Sequence, residues 1–537
     1  MKRSIKKSWV YLALAFLVLT IGIALDGYIT IKIMRIIDAA MEGNMNLFKE
    51  EAIKAFLFIG LSLPFNILSS YTRGLYIYKS LVKTKVNYVE KLFGKNINEF
   101  QSENNAKYLS AITNDMNNIE KKYLEGIYEV GSSFIGFLVS FIVIASVSPS
   151  ALFIGIGISI ISVVLSMAVG KPLQRHEKHR SDLFEGYTSY IKEVLGAFQI
   201  IKANNLNEKV KEDFYNKSKD IQYKGYTIDK IHTYTLSLQQ LVMYSSTFGI
   251  LIISAFMAIR GSITTGAVIL IVNNMSRVIF PLMNLAEWFP KIFSVKSLFE
   301  KMDESLKNYD NHKETMDINE FNNSIEFNDV SFGYENKEVL TDVNLNIVKG
   351  EKYLVVGPSG GGKSTLLKLF RKYFNPTNGD ILIDGKSLKD IKKASYFNNI
   401  SNVEQQVFLF EDTLRNNITL YKDYSEEEIN LAIERAGLKD FVKGLQNGLD
   451  TMIYDNGKNI SGGERSRVAI ARGLLSKSDI IFLDEAFASL DSKVAKEIEN
   501  TLLDLDGVTI VNVSHVIFQE TKDKYDKIFV VKNKAVI

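Results

Sequence analysis

Long apolar runs crowd into the first three hundred residues of the chain, and the remainder has none. The runs are Trp9–Leu25, Ala52–Leu68, Val130–Val147, Ala151–Val169, Leu241–Ile259 and Gly266–Met283. Each comes near the ~20 residues that a helix needs to cross a bilayer, so six crossings are expected. The first run continues into Asp26–Asp38 without a small-residue cleavage pattern, which reads as a crossing and not as a removed signal. Charge sorts the connecting segments. The amino terminus carries Lys2, Arg3, Lys6 and Lys7. The long connections around 79–125 and 171–231 carry Lys79, Lys83, Lys85 and Lys91, then Lys202, Lys209 and Lys211. Segments 38–51 and 146–150 hold more acid than base or no charge. Positive residues stay inside, so both termini and the long connections are expected in the cytoplasm. Asp182–Leu206 and Glu208–Asp229 lack proline and repeat apolar positions such as Leu183, Tyr187, Ile191 and Leu195. They are predicted to be helices running well beyond the bilayer.

A chain of 537 residues is too long for one domain. Its 46% hydrophobic content and mean hydropathy of +0.02 are what an apolar half averaged with a polar half would give. A net charge of +3 is too small to argue for nucleic acid as a partner. The absence of cysteine excludes disulfides, zinc–thiolate sites and a cysteine nucleophile. The polar stretch Glu304–Asn323 reads as a linker, and from Ile325 strands alternate with helices. The expected architecture is therefore an all-α membrane domain over 1–303, a linker over 304–324 and an α/β nucleotide-binding domain over 325–537.

The α/β reading is anchored by Gly357-Pro358-Ser359-Gly360-Gly361-Gly362-Lys363-Ser364, with Thr365 next in line. Lys352–Val356 is a short apolar strand before it, and Ser364–Lys372 reads as a helix after it. A glycine-rich turn there exposes backbone N–H groups to phosphates, and the following helix points its positive end at them. Lys363 reaches the β- and γ-phosphates, and Ser364 is placed to bind Mg²⁺. The alternative, a glycine-rich turn without a ligand, does not require the full eight-residue pattern. ATP or GTP is the expected ligand.

Further motifs follow in a fixed order. Asn459–Arg465 reads Asn-Ile-Ser-Gly-Gly-Glu-Arg, Ile480–Asp484 is an apolar strand followed at once by Glu485, Ala488–Asp491 reads Ala-Ser-Leu-Asp, and His515 follows the strand Val508–Ser514. Together these resemble the nucleotide-binding domain of ATP-binding cassette (ABC) transporters over about 325–537. The membrane half resembles the exporter type, more loosely, through Tyr108–Asp115 and Gly261–Pro281. The resemblance implies a P-loop α/β domain fused to a six-helix membrane domain, ATP and Mg²⁺ as cofactors, and two half-transporters working as a homodimer or a heterodimer. Ile460 and Glu464 stand where the family usually has Leu and Gln, and Asp455 where exporters often have Glu.

Each motif has a physical role. Asp484 ends a buried strand, where a carboxylate beside Mg²⁺ is stabilised by the ion. Glu485, one residue on, can polarise the attacking water as general base; its structural alternative is an acid at a helix N-terminus. His515 resembles the switch histidine that bonds the γ-phosphate and the water. Gln405 resembles the glutamine that contacts Mg²⁺ and senses the membrane domain, with Gln406 beside it as an alternative register. Tyr334 resembles the aromatic that stacks on adenine, or else is a core tyrosine at a strand end. Ser461, Gly462 and Gly463 open a helix and form an anion site. In the family that site meets the γ-phosphate held by the opposite subunit, with Asp491 at the same interface. Reciprocal surfaces of this kind imply a two-fold dimer.

In the sixth run, Asn273, Asn274 and Arg277 interrupt the apolar sequence. Counting from Gly266, Arg277 lies about 16 Å in, near the middle of a ~30 Å core. Facing lipid there would cost at least ~2.5 kcal/mol. These residues are expected either to bind a polar or anionic part of the substrate or, in Arg277's case, to pair with Glu125 or Glu129 or snorkel. The expected activity is ATP-driven export of a peptide, lipid or amphipathic drug from the cytoplasm or inner leaflet. An ATP-gated or regulatory membrane ATPase, or an importer on the same scaffold, is the alternative. The Lys-, Asn- and Ile-rich composition points to a bacterial plasma membrane. Contacts between halves are expected near Leu109–Asp115 and Asn205–Lys209.

Overall fold

The computed structural model describes the chain except at residues 1–4, 6–7, 104, 151, 154–155, 158–175, 177–178, 181–182, 185, 311, 335–336 and 516. The chain divides into two compact units. The first is Met1–Lys95 with Glu103–Lys307, and the second is Asn96–Ser102 with Asn308–Ile537.

The first unit is helical: α1 (Trp9–Met41), α2 (Met45–Phe93), α4 (Lys107–Ala145), α5 (Asn207–Ile259) and α6 (Thr265–Ser305), with the short α3 (Ile97–Ser102) assigned to the second unit. Among the described residues, α1, α2, α4 and α5 are long and apolar enough to cross a membrane. The predicted run Ala151–Val169 lies almost wholly outside the described residues. Gly266–Met283 falls inside the continuous helix α6. At 53 residues α5 would extend about 80 Å, far beyond a ~30 Å hydrocarbon core, as the long lysine-bearing connections predicted. The α1–α6 contact is tightly specified at the start of α6. Asp38 accepts from Gly266 N at 2.8 Å and from Thr264 Oγ1 at 2.7 Å, capping α6, and a Cβ on Gly266 would lie 2.2 Å from Met34 O. Val143 and Ile144 of α4, Ile250 of α5 and Leu270, Ile271 and Met275 of α6 share one apolar core. Phe56, Leu57 and Leu63 of α2 remain exposed, as expected of side chains whose solvent is lipid.

The second unit is built on two sheets. Strands β1 (Ser324–Tyr334), β2 (Lys337–Val348), β4 (Asn378–Ile383) and β5 (Lys386–Ser387) form an antiparallel sheet in the order β2-β1-β4-β5. The other sheet contains β3 (Lys352–Val356), β6 (Ile400–Val403), β7 (Ile480–Asp484), β8 (Thr509–Val513), β9 (Lys527–Lys532) and β10 (Ala535–Val536), in the order β10-β9-β3-β8-β7-β6. Its neighbours from β9 to β6 are all parallel. Phe327, Phe370, Phe482 and Val531 belong to the core shared by both sheets and by α7 (Lys363–Phe370). A second core gathers Ile429 and Ile433 of the helix Glu426–Arg435, Val468 and Ile470 of α8 (Gly462–Leu475), and Ile498 of α9 (Ser492–Leu503). Because β3, β8, β7 and β6 run side by side in one direction, their carboxyl ends share one edge. Ligands of open α/β sheets bind along that edge.

Candidate active site

Four loops leave that edge, and each carries a predicted residue. After β3 comes the turn 357–362. Gly357 sits at φ 152°, and a Cβ there would approach Val531 O to 2.2 Å, so only glycine lets this turn pass so close to β9. Lys363 begins α7, is buried, and donates to the carbonyls of Gly357 (2.9 Å) and Pro358 (3.1 Å). Burial pushes its ammonium pKa down, and the nearby carboxylates of Glu485 and Asp484 push it back up. Pro358, Ser359, Gly360 and Ser364 are exposed, Gly361 is half-buried, and Gly362 and Thr365 are buried.

The other three loops converge. Glu485 follows β7 with φ 49°, a left-handed conformation that costs energy for a side-chain-bearing residue and is concentrated at functional sites. Its backbone N–H donates to Val513 O on β8 at 2.9 Å, which fixes the turn. Its carboxylate accepts from Gln405 Nε2 at 2.6 Å, and its other oxygen lies 3.0 Å from His515 Nε2. Three predicted residues, scattered over more than a hundred positions of sequence, thus meet at one carboxylate. Of the two adjacent glutamines, Gln405 is the one that reaches Glu485. Asp484 is the preceding residue, and burial raises its pKa, opposed chiefly by the Arg371 guanidinium at 3.8 Å.

Arg371 and Glu404 were not singled out from sequence. Arg371 is buried and bonds Glu404 at 2.9 Å, with Tyr373 OH donating to the same carboxylate at 3.2 Å. The signal was present: an arginine closing the helix Lys363–Phe370, whose Leu366, Leu367, Leu369 and Phe370 are buried, needs a partner. Glu404 adjoins Gln405, so this ion pair fixes the loop after β6.

The remaining predicted residues lie apart from that cluster. Tyr334 is partly exposed. Its ring stands edge-on to Phe374 and Phe332, and its hydroxyl is 3.5 Å from Thr365 Oγ1. Ser461 caps α8. Its hydroxyl accepts from Glu464 N at 3.2 Å, and Glu464 accepts from Ser461 N at 2.7 Å. The departure at Glu464 therefore closes a capping box, a role for which Glu serves as well as Gln. Gly463 lets Ser489 O come close, to 3.2 Å of where a Cβ would stand, and exposed Asp491 precedes α9.

In the helical unit, Arg277 bonds Asp26 of α1 at 3.3 Å, and both side chains stay partly exposed. The expected partners are not used: Glu129 pairs with Arg73 at 3.1 Å. Asn274 is buried and its Nδ2 donates to Leu270 O at 3.0 Å, whereas Asn273 is exposed. Asn96–Ser102 belongs to the second unit, and Leu109–Asp115 and Asn205–Lys209 belong to the first.

Comparison with known proteins agrees with both halves. Residues 12–282 match the ABC transporter transmembrane region, and 340–488 match the ABC transporter domain. The chain belongs to the ABC transporter family. It is an ATP-binding, multi-pass membrane half-transporter of the exporter family, an ATPase coupled to transport. It is 29% identical over 451 residues to an uncharacterized ABC transporter ATP-binding protein of Bacillus subtilis, covering 82% of this chain and 73% of that one. It is 29% identical over 458 residues to the ATP-dependent lipid A-core flippase of Escherichia coli K12, covering 83% and 77%. A bacterial Atm1-family ABC exporter with ATP bound shares the fold, with a TM-score of 0.81, 20% identity and coverage of 98% and 94%.

The transporter's residues suit its nucleotide. A buried ammonium that donates to two backbone carbonyls, the N–H groups opening α7 and the hydroxyls of Ser364 and Thr365 form a donor set for phosphates. Asp484 is a half-buried carboxylate on the same edge.

Proposed function

We propose that this chain is one half of a dimeric exporter that moves a lipid-like amphipath with a charged headgroup out of the inner leaflet, with two ATP molecules bound between the subunits. The observation that carries the hydrolytic part is the meeting of Gln405, Glu485 and His515 at the carboxyl edge of the parallel sheet. Glu485 takes a proton from the attacking water, His515 and Gln405 hold that carboxylate and line the reacting phosphate, and Lys363 neutralises the phosphate charge. Mg²⁺, held by Ser364, Asp484 and Gln405, would supply charge neutralisation at the β- and γ-phosphates. Tyr334 stacks on the base, and Gly357–Thr365 wraps the phosphates.

The dimer reading is supported by the division of the unit's cores. Lys363 opens a helix of the core between the sheets, whereas Ser461, Gly462 and Gly463 open α8, which packs into the other. A helix N-terminus exposed on the second core is free to face another subunit's phosphate, and reciprocity then gives a two-fold pair with Asp491 at the seam. We take 1–303 as the membrane domain, 304–324 as the linker and 325–537 as the nucleotide domain. Both termini are placed in the cytoplasm of a bacterial cell, with the membrane domain in the plasma membrane.

The substrate class rests on Arg277 and Asp26, with Asn273 on the same helical face as Arg277. A half-exposed ion pair at mid-bilayer depth is too costly to face lipid, so it faces a polar path. Relatives named for flipping lipid A-core favour a lipid-like cargo. Reconstituted in liposomes, the wild type should show turnover stimulated by anionic glycolipid and not by neutral detergent. Arg277→Ala should lose that stimulation and keep basal turnover. The charge swap Arg277→Asp with Asp26→Arg decides between roles. Restored stimulation by the same lipid makes the pair structural; persistent loss keeps it in the substrate path.

A further inference from the structure

A buried carboxylate outside the hydrolytic cluster holds both ends of the loop that carries His515. Glu499, on α9, is buried, and its partners among the described residues are amide and hydroxyl groups. One oxygen accepts from Asn512 Nδ2 at 3.2 Å and from Tyr525 OH at 2.7 Å, and the other accepts from Thr521 Oγ1 at 2.5 Å. Asn512 Nδ2 also donates to Tyr525 OH at 2.7 Å. Asn512 sits on β8, three positions before His515, and is fully buried in a strand whose other residues are also buried. Thr521 and Tyr525 come after His515, and both are buried too.

A carboxylate enclosed this way is costly to bury, and apolar packing would serve a purely structural purpose more cheaply. Its geometry gives it something packing cannot: directional bonds to the strand entering the loop and to the segment leaving it. His515 meets Glu485 at 3.0 Å, a separation that tolerates little displacement. The helix bearing Glu499 begins right after Asp491, so the same side chain ties the His515 loop to the helix leaving that position.

We infer that Glu499 is a positioning residue for ATP hydrolysis, holding Asn512 before and Thr521 and Tyr525 after His515 so that His515 stays on Glu485. This rests on the roles given above to His515 and Glu485. The test is a double-mutant cycle on the full-length transporter in lipid nanodiscs, with steady-state kcat, KM for ATP and thermal midpoint measured for each variant. Glu499→Ala should lower kcat roughly 10- to 100-fold with little change in KM. In a His515→Ala background it should lower the residual kcat no further, while the fall in thermal midpoint persists in both backgrounds. If Glu499→Ala folds poorly, Glu499→Gln, which keeps the shape, and Thr521→Val, which frees only the far end of the loop, should show smaller losses with the same loss of effect in the His515→Ala background. Equal fold losses with and without His515 would overturn the inference. Near-normal turnover of His515→Ala alone would instead overturn the hydrolytic reading on which it rests.

Discussion

The two units place polar groups in opposite ways. In the nucleotide unit they collect at the ends of four adjacent parallel strands, so residues remote in sequence fall within hydrogen-bond distance of Glu485. In the helical unit they are spread along the helices as separate pairs: Lys32 with Glu51, Arg73 with Glu129 and Arg277 with Asp26. A sheet edge concentrates chemistry because every loop there starts from a fixed strand end. A helix bundle has no such edge, and each polar residue must find its partner wherever the helices happen to face. The first arrangement makes one site that fails as a whole, and the second makes contacts that fail one at a time.

That contrast predicts a graded set of effects. The largest belongs to the sheet edge. Glu485→Gln should bind ATP and lose turnover by ~10²–10⁴-fold, the usual cost of removing a general base. Near-normal turnover, measured as phosphate release, would assign the base elsewhere and break the comparison at its strongest point. Next comes the buried pair of the helical unit. Glu51→Gln leaves Lys32 buried without a counter-charge and should cost about 3 kcal/mol, at the low end for an orphaned buried ion. The thermal midpoint in detergent should fall accordingly, while the turnover of the protein that remains folded should be unchanged. A midpoint equal to wild type would show that Lys32 finds water. The smallest effect on hydrolysis is expected at Glu99 in α3. It accepts from the backbone N–H groups of Tyr309 and Asp310, both at about 3 Å, and so ties the segment Asn96–Ser102 to the chain that follows α6. Glu99→Lys should lower transport per ATP while leaving basal hydrolysis near wild type. A proportional fall of both would mean that this contact serves stability and not coupling.

The same contrast explains what could be read from sequence. The phosphate loop and Asp484–Glu485 were legible because each follows a short apolar strand, and the Ser461 turn because it opens a helix, so the geometry of all three is local. The meeting of Gln405 and His515 at Glu485 required only that their strands be parallel neighbours. The partner of Arg277 was not legible. Asp26 took the place expected of Glu125 or Glu129 because the rotation of each helix in a bundle depends on packing along its whole length, as at Gly266 against Met34. Asn96–Ser102 belongs to the second unit although it lies between helices of the first, and nothing in its local sequence marks that membership. Asn512 did carry a signal, as the single amide in the apolar strand Thr509–Val513. Its partner Glu499 lies on a helix that reads as amphipathic and solvated.

The central claim is that each ATP is enclosed by the phosphate loop of one copy and the Ser461 turn of the other. The most direct measurement is turnover in purified mixed dimers carrying one tagged copy of each kind. Lys363→Ala in one copy paired with Ser461→Arg in the other leaves one whole composite site and should retain hydrolysis. A copy bearing both substitutions, paired with an unsubstituted copy, leaves neither site whole and should retain none. The reverse pattern, with activity only when both substitutions share a chain, would place each nucleotide within a single subunit and contradict the account.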